Sequence, residues 1–392
     1  MQKVKFSEVC KISNGFAFKS DKYVNIEGGR VIRITNVQKG KIIDNDPKFY
    51  PFSELKNLEN YKINEGDIMM SLTGNVGRVG KFPKELLPAY INQRVCRIKS
   101  NSKNLLDDYL YHFLNSDKFE NDAVRNSAGA AQLNLSTNWL AEYEIPLPSL
   151  QTQQKIAAIL DKADELRQYN KQLIEKYDEL TQSLFLEMFG DPVRNEKKFE
   201  LITIRDLCNE VKYGTSEKAS EIGKYPYLRM NNISFKGYMD FKDLKYVNVS
   251  EKDLPKYIVK KGDILFNRTN SKELVGKTGI ITNDDIYVIA GYLIRVRTNE
   301  LANPYYIWAH LNSKWSKLTL NNMCKNIVGM ANINAQELQD ILILKAPINL
   351  QNQFAERVQL IEAQKQQAQD ALAKSEELFQ GLLQQAFKGE LN

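Results

Sequence analysis

The longest regular pattern of hydrophobic and polar residues lies in the middle of the chain, over residues 151–189. Apolar side chains recur there every three or four positions, and neither proline nor glycine interrupts them. With Ile156 taken as position a of a heptad, two series form the predicted packing seam: Ile156, Ala163, Asn170, Tyr177 and Leu184 at a, and Ile159, Leu166, Leu173 and Leu180 at d. Such a repeat predicts a long coiled-coil helix. The polar Asn170 at an a position is suited to fixing the register of that helix.

A second helix of the same kind is predicted at the end of the chain, over residues 351–388. Its two series are Val358, Lys365, Leu372, Phe379 and Ala386, and Ile361, Ala368, Ser375 and Leu382. Ser149 and Asn349 precede the two helices, and we expect them to cap the N-termini, because such side chains accept hydrogen bonds from free main-chain N–H groups. Gly190 and Pro192 mark the end of the first helix.

Each helix follows a copy of one longer pattern. Residues 31–37 (VIRITNV) match residues 227–233 (YLRMNNI), and residues 65–73 match residues 261–269, both at a shift of 196 positions. Shorter matches at shifts of 197 to 200 pair residues 76–80 with 275–279, 114–116 with 311–313, 132–134 with 332–334 and 150–153 with 350–353. The chain is therefore an internal duplication of a globular segment followed by a long helix.

Within each copy, short apolar runs typical of β-strands alternate with turns rich in Gly and Asn. These runs cover residues 31–37, 66–72 and 95–98 in the first copy, and 264–266 and 286–296 in the second. One helix per copy is expected near residues 105–116 and 305–313. The predicted fold class is α+β: two tandem mixed domains separated by two long helices that pair antiparallel, with pseudo-two-fold symmetry. The predicted segments are 1–148, 149–190, 191–348 and 349–392.

The composition is that of an ordinary soluble protein, with 43% hydrophobic and 26% charged residues and a mean hydropathy of −0.45. No apolar run is long enough for a membrane span, and the N-terminus lacks the core of a signal peptide. We therefore expect a cytoplasmic protein without a membrane partner. The four cysteines, Cys10, Cys96, Cys208 and Cys324, are isolated and predict neither a disulfide framework nor a zinc site. A net charge of +6 permits nucleic-acid binding without requiring it.

Two stretches are similar to nucleotide-dependent motifs but lack an essential residue. The sequence Gly276-Lys277-Thr278 matches the end of a phosphate-binding loop, yet Ser271 stands where that motif needs its first glycine. We predict a tight turn between strands. Residues 303–306 (NPYY) are similar to the Asn-Pro-Pro-Tyr motif of amino-methyltransferases, but the second proline is missing. We predict the N-terminus of a helix there.

Other candidates for catalysis are equally weak. Asp206, Glu210 and Lys212 have the residue types of a nuclease metal site, but their loose spacing favours a solvated helix face. His112 and His310 are the two histidines, and neither lies in a zinc-binding motif. The sequence therefore predicts a protein without catalytic residues or a metal site.

Polar and basic residues recur instead at equivalent loops of the two copies. Arg, Asn, Gln and Lys bond to base edges in the DNA major groove, while Ser, Thr and Lys hold phosphates. The DNA-binding candidates of the first copy are Lys19, Arg33, Asn36, Ser71, Thr73, Asn75, Arg78, Arg125 and Gln132. Those of the second copy are Arg229, Asn232, Asn267, Arg268, Thr269, Asn270, Lys272, Lys277, Lys325 and Asn332. The alternative is structural, with these residues holding turns or pairing with carboxylates.

Several of these stretches resemble the specificity subunits of type I restriction-modification systems. The resemblance rests on residues 9–20 (VCKISNGFAFKS), on 132–136 (QLNLS), on the Gly-Asp-Ile loops, and on 145–156 (IPLPSLQTQQKI) leading into the long helix. The second copy departs from the pattern, since residues 345–349 read KAPIN and residues 212–216 read KYGTS. The resemblance covers both copies and thus nearly the whole chain.

The resemblance implies that each globular segment is a target recognition domain reading one half of a bipartite, asymmetric sequence in double-stranded DNA. The long helices would form the spacer between them. Two modification subunits would supply S-adenosylmethionine and adenine methylation, and restriction subunits would supply ATP- and Mg²⁺-dependent translocation and cleavage. The chain itself would bind no cofactor. Apolar residues off the predicted seam are candidates for docking the partner subunits, with core packing as the alternative: Leu186, Met188, Phe189, Leu378, Leu383 and Phe387.

A helix of about 37 residues spans about 55 Å, which predicts a gap of several unread base pairs between the half-sites. Three other functions remain open from the sequence. One is a DNA-binding regulatory or inhibitory protein on the same scaffold, without methyltransferase recruitment. The others are a self-sufficient methyltransferase or nuclease, and a coiled-coil scaffold.

Overall fold

The computed structural model describes residues 2–129, 132–271, 274–327 and 330–391, with the backbone alone for residues 325–327 and 330. It divides into two compact units, one made of Met1–Asn170 with Asp370–Asn392 and the other of Lys171–Gln369. Each unit contains one globular copy and about half of each long helix. The segments predicted from the sequence instead set each long helix apart from the globular domains.

The first unit contains two four-stranded sheets. Its strands are β1 (Lys3–Lys5), β2 (Cys10–Asn14), β3 (Gly29–Ile32), β4 (Val37–Gln38), β5 (Lys41–Ile42), β6 (Phe49–Tyr50), β7 (Lys62–Ile63), β8 (Ile68–Ser71), β9 (Val79–Lys81), β10 (Ala89–Ile91), β11 (Val95–Ser100) and β12 (Glu144–Pro146). One sheet has the order β2-β11-β8-β9, with antiparallel neighbours, and the other has the order β6-β3-β10-β7. In the second sheet β3 and β10 run parallel. Two further pairs join β1 to β12 and β4 to β5.

Helices pack on both sheets of this unit. They are α1 (Phe6–Val9), α2 (Phe52–Leu55), α3 (Asp107–Leu114), α4 (Asp117–Arg125), α5 (Thr137–Glu142) and the long α6 (Leu150–Phe189). The helix predicted near residues 105–116 is α3, whereas α4 was not predicted. Phe6, Phe113 and Phe119 pack together at the centre of the core, with ring centroids 6.1–6.4 Å apart.

The second unit repeats this arrangement. Its strands are β13 (Leu201–Thr203), β14 (Cys208–Tyr213), β15 (Tyr225–Leu228), β16 (Lys245–Val247), β17 (Ile264–Asn267), β18 (Thr269–Asn270), β19 (Thr278–Ile280), β20 (Val288–Ile289), β21 (Leu293–Thr298), β22 (Lys325–Ile327), β23 (Met330–Asn332) and β24 (Leu342–Leu344). Its helices are α7 (Leu254–Tyr257), α8 (Pro304–Asn312), α9 (Lys314–Met323), α10 (Ala335–Gln339) and the long α11 (Ile348–Lys388).

The sheet order β14-β21-β17-β19 repeats β2-β11-β8-β9, and β16-β15-β20 repeats β6-β3-β10 together with its parallel pair. The second unit also has a small sheet of order β18-β23-β22, where the first unit shows the isolated bridges Thr73–Asn134 and Ala128–Asn134. The two α+β domains and the internal duplication predicted from the sequence are therefore confirmed.

The structure corrects the alignment of the two copies at the start of the long helices. Gln153 Oε1 accepts a hydrogen bond from Leu106 N at 2.9 Å, and Gln351 Oε1 accepts the same bond from Asn303 N at 2.9 Å. These two buried glutamines are equivalent, at a shift of 198 positions, so the match of residues 150–153 with 350–353 is wrong by two residues. Ser149 does accept from the first turn of α6, at 3.3 Å from Thr152 N. Asn349 is no cap, because α11 already begins at Ile348.

Within each unit the two long helices run antiparallel. In the first unit Arg167 lies over the ring of Phe379 at 4.2 Å, and Asn170 Nδ2 approaches Ser375 Oγ at 3.5 Å, so residue numbers rise along α6 as they fall along α11. Asn170 is buried in this seam as predicted. The second unit shows the same direction, since Asp178 pairs with Lys365 while Phe185 packs on Phe354.

The predicted heptad is correct in one of its series on α6 and wrong in the other. The a residues are buried or half-buried, and the two series predicted on α11 are buried or half-buried as well. On α6, however, the d residues Ile159, Leu166 and Leu180 are 39–48% exposed. The next residues along the helix, such as Leu160 and Thr181, are buried in their place. The seam turns toward the globular domain because α6 packs on that domain as well as on α11.

None of the helices in the described ranges combines the length and the apolar character that a membrane crossing requires.

Candidate nucleic-acid interface

The first pair of DNA-binding candidates lies where β3 and β15 end. Asn36 is buried, accepts a hydrogen bond from Arg33 N at 2.8 Å and donates to Ile43 O at 2.9 Å. The guanidinium of Arg33 lies 3.2 Å from the carboxylate of Asp46. These contacts close a loop and hold Arg33 in an ion pair, which favours the structural alternative for Asn36, while its DNA contact stays a prediction.

The second copy repeats this loop closure. Asn232 is buried, accepts from Arg229 N at 2.9 Å and donates to Asp240 O at 2.9 Å. Arg229 lies 3.5 Å from a carboxylate oxygen of Asp243. The polar atoms of Asn232 are likewise used inside the domain, which favours the structural alternative, while its DNA contact stays a prediction.

The ends of β8 and β17 also carry structural side chains. Ser71 is fully buried and donates to Asn75 O, while Asn267 is fully buried and donates to Leu274 O at 3.3 Å. Each side chain holds the turn that follows its strand. Full burial favours the structural alternative for both residues, and their predicted contact with DNA stays a prediction. Arg78, in the turn of the first copy, donates to Gln38 Oε1 at 2.6 Å.

A threonine–asparagine hydrogen bond joins two neighbouring loops in each unit. Thr73 Oγ1 donates to Asn134 Oδ1 at 2.9 Å, and Thr269 Oγ1 donates to Asn332 Oδ1 at 2.9 Å. Asn332 is thus the counterpart of Asn134, at a shift of 198 positions, and the match of Gln132 with Asn332 is corrected. Thr73 is buried, whereas Thr269 and Asn332 are half-buried at the surface of the small sheet.

Apart from the buried Lys277, the remaining candidates whose side chains are described are accessible. In the first unit they are the exposed Lys19, Asn75, Arg125 and Gln132. In the second unit they are the half-buried Arg268, Thr269, Asn270 and Asn332, on and beside β18 and β23. Lys272 lies outside the described residues, and for Lys325 only the backbone in β22 is described.

Arg268 is the accessible candidate whose position is best defined. Its guanidinium carbon lies 4.8 Å from the ring centroid of Tyr213, and no described carboxylate pairs with it. Stacking on an aromatic ring orients the planar guanidinium, whose donors match the N7 and O6 acceptors of guanine. The sequence analysis did not identify Tyr213, since only the fold brings β14 next to residue 268. The equivalent residue of the first copy is Leu72, which is buried.

The weak enzymatic motifs have structural roles. Gly276 has a φ of +78° in the predicted turn before β19, and Asn303 Oδ1 accepts from Tyr305 N at 3.0 Å as the cap of α8. Glu210 lies on strand β14, so the predicted helix face is wrong. Although partial burial tends to raise the pKa of Glu210, hydrogen bonds from Lys212 and Arg295 bring that pKa below its ordinary value. No group of His, Cys, Asp and Glu suited to a metal ion occurs among the described residues.

Both histidines are buried against the long helices. His112 Nε2 lies 2.7 Å from Asp161 Oδ1, and burial lowers the pKa of His112 despite that contact. Burial lowers the pKa of His310 from 6.5 to about 4. Each imidazole is therefore neutral at physiological pH and belongs to the packing of its unit.

The candidates for partner docking divide into core and surface residues. Phe189, Met188 and Leu383 are buried, and Phe387 packs on Tyr109 with ring centroids 5.5 Å apart. These four side chains pack on the adjacent domain, which favours the core-packing alternative for them, while a docking role stays a prediction. Leu186 and Leu378 are 50% and 52% exposed.

Leu186 borders a groove of about 760 Å³ in the second unit. Its apolar floor is made by Phe185, Tyr238, Trp308 and Trp315, while Glu175, Glu179 and Lys314 lie at its margins. An apolar groove with a charged rim is suited to an amphipathic segment of another chain.

A family model and individual relatives both connect this chain to the specificity subunits of type I restriction enzymes. The model of the family described as "Type I restriction modification DNA specificity domain" matches residues 1–177 and 196–370. The specificity subunit of the type I restriction enzyme EcoKI of Escherichia coli (strain K12) is 26% identical over 410 residues, covering 98% of this chain and 88% of that protein. The StySPI specificity subunit of Salmonella potsdam is 25% identical over 409 residues, covering 98% and 88%.

Solved structures share the fold. The S subunit of a type I restriction-modification system from M. genitalium superposes with a TM-score of 0.60 at 17% identity, covering 98% of this chain and 96% of that one. A chain from a structural study of type I complex assembly and conformational transition has a TM-score of 0.57 at 18% identity, covering 100% and 98%. Since the family model matches both copies over most of the chain, this protein belongs to the family of type I restriction-modification DNA specificity domains.

Proposed function

We propose that this chain is the DNA specificity subunit of a type I restriction-modification complex and that each of its two units binds one half of a bipartite, asymmetric DNA sequence. The main support for this proposal is that the two copies share one fold but have different side chains at equivalent loop positions. Arg268 of the second copy, oriented by Tyr213, occupies the place of the buried Leu72 of the first. Two copies of one fold with different loop chemistry are suited to reading two different half-sites.

The chemistry of modification and restriction belongs to partner subunits in this proposal. Two modification subunits bring S-adenosylmethionine and methylate an adenine in each half-site, and restriction subunits use ATP and Mg²⁺. This chain contributes the DNA contacts and the surfaces that hold the partners. Of the docking candidates, Leu186 at the groove of the second unit and Leu378 on α11 of the first are exposed and available for docking.

The long helices act as the spacer between the two half-sites. Helix α6 has 40 residues and α11 has 41, which corresponds to about 60 Å of helix each. Since same-face half-sites on DNA are about 34–36 Å, or 10 base pairs, apart, helices of this length leave several base pairs unread between the half-sites.

Co-purification with the modification subunit of the same system, followed by mapping of methylated adenines, tests the proposal. We expect a stable complex and a split motif that is methylated only when this chain is present. A DNA-binding regulatory protein would give DNA binding without a complex. A continuous methylated motif, or methylation by this chain alone, would contradict the assignment.

A further inference from the structure

Two lysines of the second unit lie at one loop without a carboxylate partner. Lys277 is buried, and its Nζ donates to Met230 O at 2.7 Å. Lys317, half-buried on α9, donates from Nζ to Gly276 O at 2.9 Å and lies 5.9 Å from the ring centroid of Phe235. Among the described residues, neither ammonium group has an acidic neighbour that could neutralise it.

Lys365, the other buried lysine among the described residues of this unit, is paired. Lys365 lies 2.6 Å from Asp178, and Lys236 lies 2.6 Å from the other oxygen of the same carboxylate. Burying an ammonium group without a counter-charge is unfavourable, so Lys277 and Lys317 differ in this respect from the paired Lys365. Burial and the charge of Lys277 lower the pKa of Lys317 to about 8, and burial lowers the pKa of Lys277. A bound anion would favour the charged form of each lysine and so raise both pKa values.

The first copy does not share this feature. Glu120 stands at the position of Lys317, and its carboxylate accepts from Lys39 Nζ at 2.7 Å. Arg78 stands at the position of Lys277 and donates to Gln38. The first copy therefore adopts the same fold without a lysine at either position. The lysine pair is specific to the second copy, and the fold does not require it.

The lysine pair lies beside the strand proposed to contact DNA. Met230, whose carbonyl oxygen receives Lys277, also places its Sδ 3.6 Å from Asn270 Nδ2 on β18. Gly276, whose carbonyl oxygen receives Lys317, lies in the turn that follows β18. The segment that carries the base-reading candidates Arg268 and Asn270 thus also carries Lys277, and its Gly276 accepts a hydrogen bond from Lys317 of α9.

We propose that Lys277 and Lys317 together bind one backbone phosphate of the target DNA at the half-site of the second unit. This inference rests on the proposed function. Phosphate contacts fix the position of a protein on the duplex, and lysine binds phosphate as a mobile point charge. Each ammonium has three donors, so it can bind a phosphate oxygen while keeping its bond to the main-chain carbonyl.

The test is the salt dependence of DNA binding by the full chain with its modification subunits, measured on duplex DNA for the wild type, Lys277→Gln, Lys317→Gln and Lys256→Gln. Losing one phosphate contact should reduce the slope of log affinity against log salt by about 0.9. It should also weaken binding about tenfold at low salt, as expected for a charge-assisted hydrogen bond. Lys256, bonded to Asp253 at 2.7 Å, is the matched control and should leave the slope unchanged.

A second measurement separates a binding lysine from a structural one. Lys317→Met removes a buried, unpaired charge, so we expect the melting temperature of the protein without DNA to rise while DNA binding weakens. A lower melting temperature with an unchanged salt slope would show that Lys317 braces the turn, and would overturn the inference. So would an equal loss of slope in Lys256→Gln.

The outcome is independent of the test of the proposed function. The methylated motif should stay the same in both lysine variants, since phosphate contacts carry no sequence information directly. An unchanged slope overturns the phosphate site even where a split motif is methylated. A reduced slope without any split motif supports the site and contradicts the proposed function alone.

Discussion

Lys365 Nζ lies 2.6 Å from Asp178 Oδ1, which joins α11 to α6 inside the second unit. The ammonium of Lys365 also lies 3.2 Å from the ring centroid of Tyr238, so one buried side chain connects both long helices to the globular domain. Burial tends to raise the pKa of Asp178, but hydrogen bonds from Lys236 and Lys365 bring that pKa below its ordinary value. A buried charge network of this kind is sensitive to the loss of one member.

Replacing Lys365 with Met should lower the free energy of unfolding by about 1–3 kcal/mol, because Asp178 would stay half-buried with Lys236 as its remaining cation. Chemical denaturation of the purified chain measures this change. Lys374→Met, at an exposed position of the same helix, removes the same charge and should change stability by less than about 0.5 kcal/mol. Equal effects of the two substitutions would contradict the role given to Lys365.

Replacing Arg268 with Ala should relax the sequence preference of the second half-site and leave the first half-site unchanged. Loss of a bidentate contact to a base costs about 1–3 kcal/mol of discrimination. Arg268→Lys should behave similarly, since an ammonium cannot reproduce the planar pair of donors. Tyr213→Leu, which removes the ring 4.8 Å from the guanidinium, should weaken the same preference less severely. Mapping of methylated adenines reports both half-sites, and an unaltered motif in Arg268→Ala would exclude base reading by this residue.

Replacing the exposed Leu186 with Ser should weaken binding of a modification subunit without destabilising the chain. The side chain borders the groove of the second unit, so its loss removes apolar contact area from a docking surface. Isothermal titration with the modification subunit and a thermal melt of the free chain give the two readouts. The buried neighbour Met188 is the contrasting position, where Met188→Ser should lower the melting temperature because it places a hydroxyl in the core. Unchanged affinity in Leu186→Ser would remove this groove from the interface.

Stability should fall between pH 6.5 and pH 4 through His310. The pKa of this fully buried imidazole is about 4 in the folded chain, against 6.5 as its ordinary value. The unfolded chain therefore binds more protons in this window, which means that stability is complete above pH 6.5 and is lost as the pH falls. The loss at pH 4 is at most about 3 kcal/mol.

His310→Phe isolates this effect, because the equivalent residue of the first copy is Phe113 and the site is already lined by Phe185 and Trp315. Denaturation midpoints measured from pH 4 to pH 7 should depend less on pH in the variant than in the wild type. The same pH dependence in both proteins would assign the effect to other groups.

Deleting one heptad from each long helix should shorten the gap between the half-sites by about three base pairs. Seven residues correspond to about 10 Å of helix, and each base pair rises about 3.4 Å. Removing residues 171–177 together with 367–373 keeps the heptad phase on both sides of each deletion. Methylation mapping of this variant should recover the same two half-sites at closer spacing. An unchanged gap would show that the helices do not set the spacing.

The amino-acid sequence was sufficient to predict the duplication, the α+β class and the two long helices, since these depend on local periodicity and on the repetition of motifs. It was insufficient for the exact alignment of the copies. Gln153 and Gln351 are equivalent because each binds the main chain of its own domain. The sequence alignment missed this equivalence because similar residues two positions away gave a better match.

The same limit applies to the candidate site. Asn36 and Arg268 have equally suitable side chains for binding DNA. Asn36, however, is hydrogen-bonded within its own loop, whereas Arg268 lies over Tyr213 at the surface. Lys317 was not among the DNA-binding candidates predicted from the sequence. A lysine on a helix is common, and its lack of a carboxylate neighbour among the described residues is known only from the fold.

What the sequence by itself determined is therefore the periodic and repeated part of this protein: the two long helices, the α+β class, and the occurrence of the same plan twice. What only the tertiary structure decided is which face of α6 is buried and which polar side chains remain accessible. Ile159 and Leu160 are adjacent apolar residues, and the domain packed against the helix buries only Leu160. The physical reason is that burial and hydrogen-bond partners depend on groups distant in the chain, whereas helix and strand periodicity depends on near neighbours.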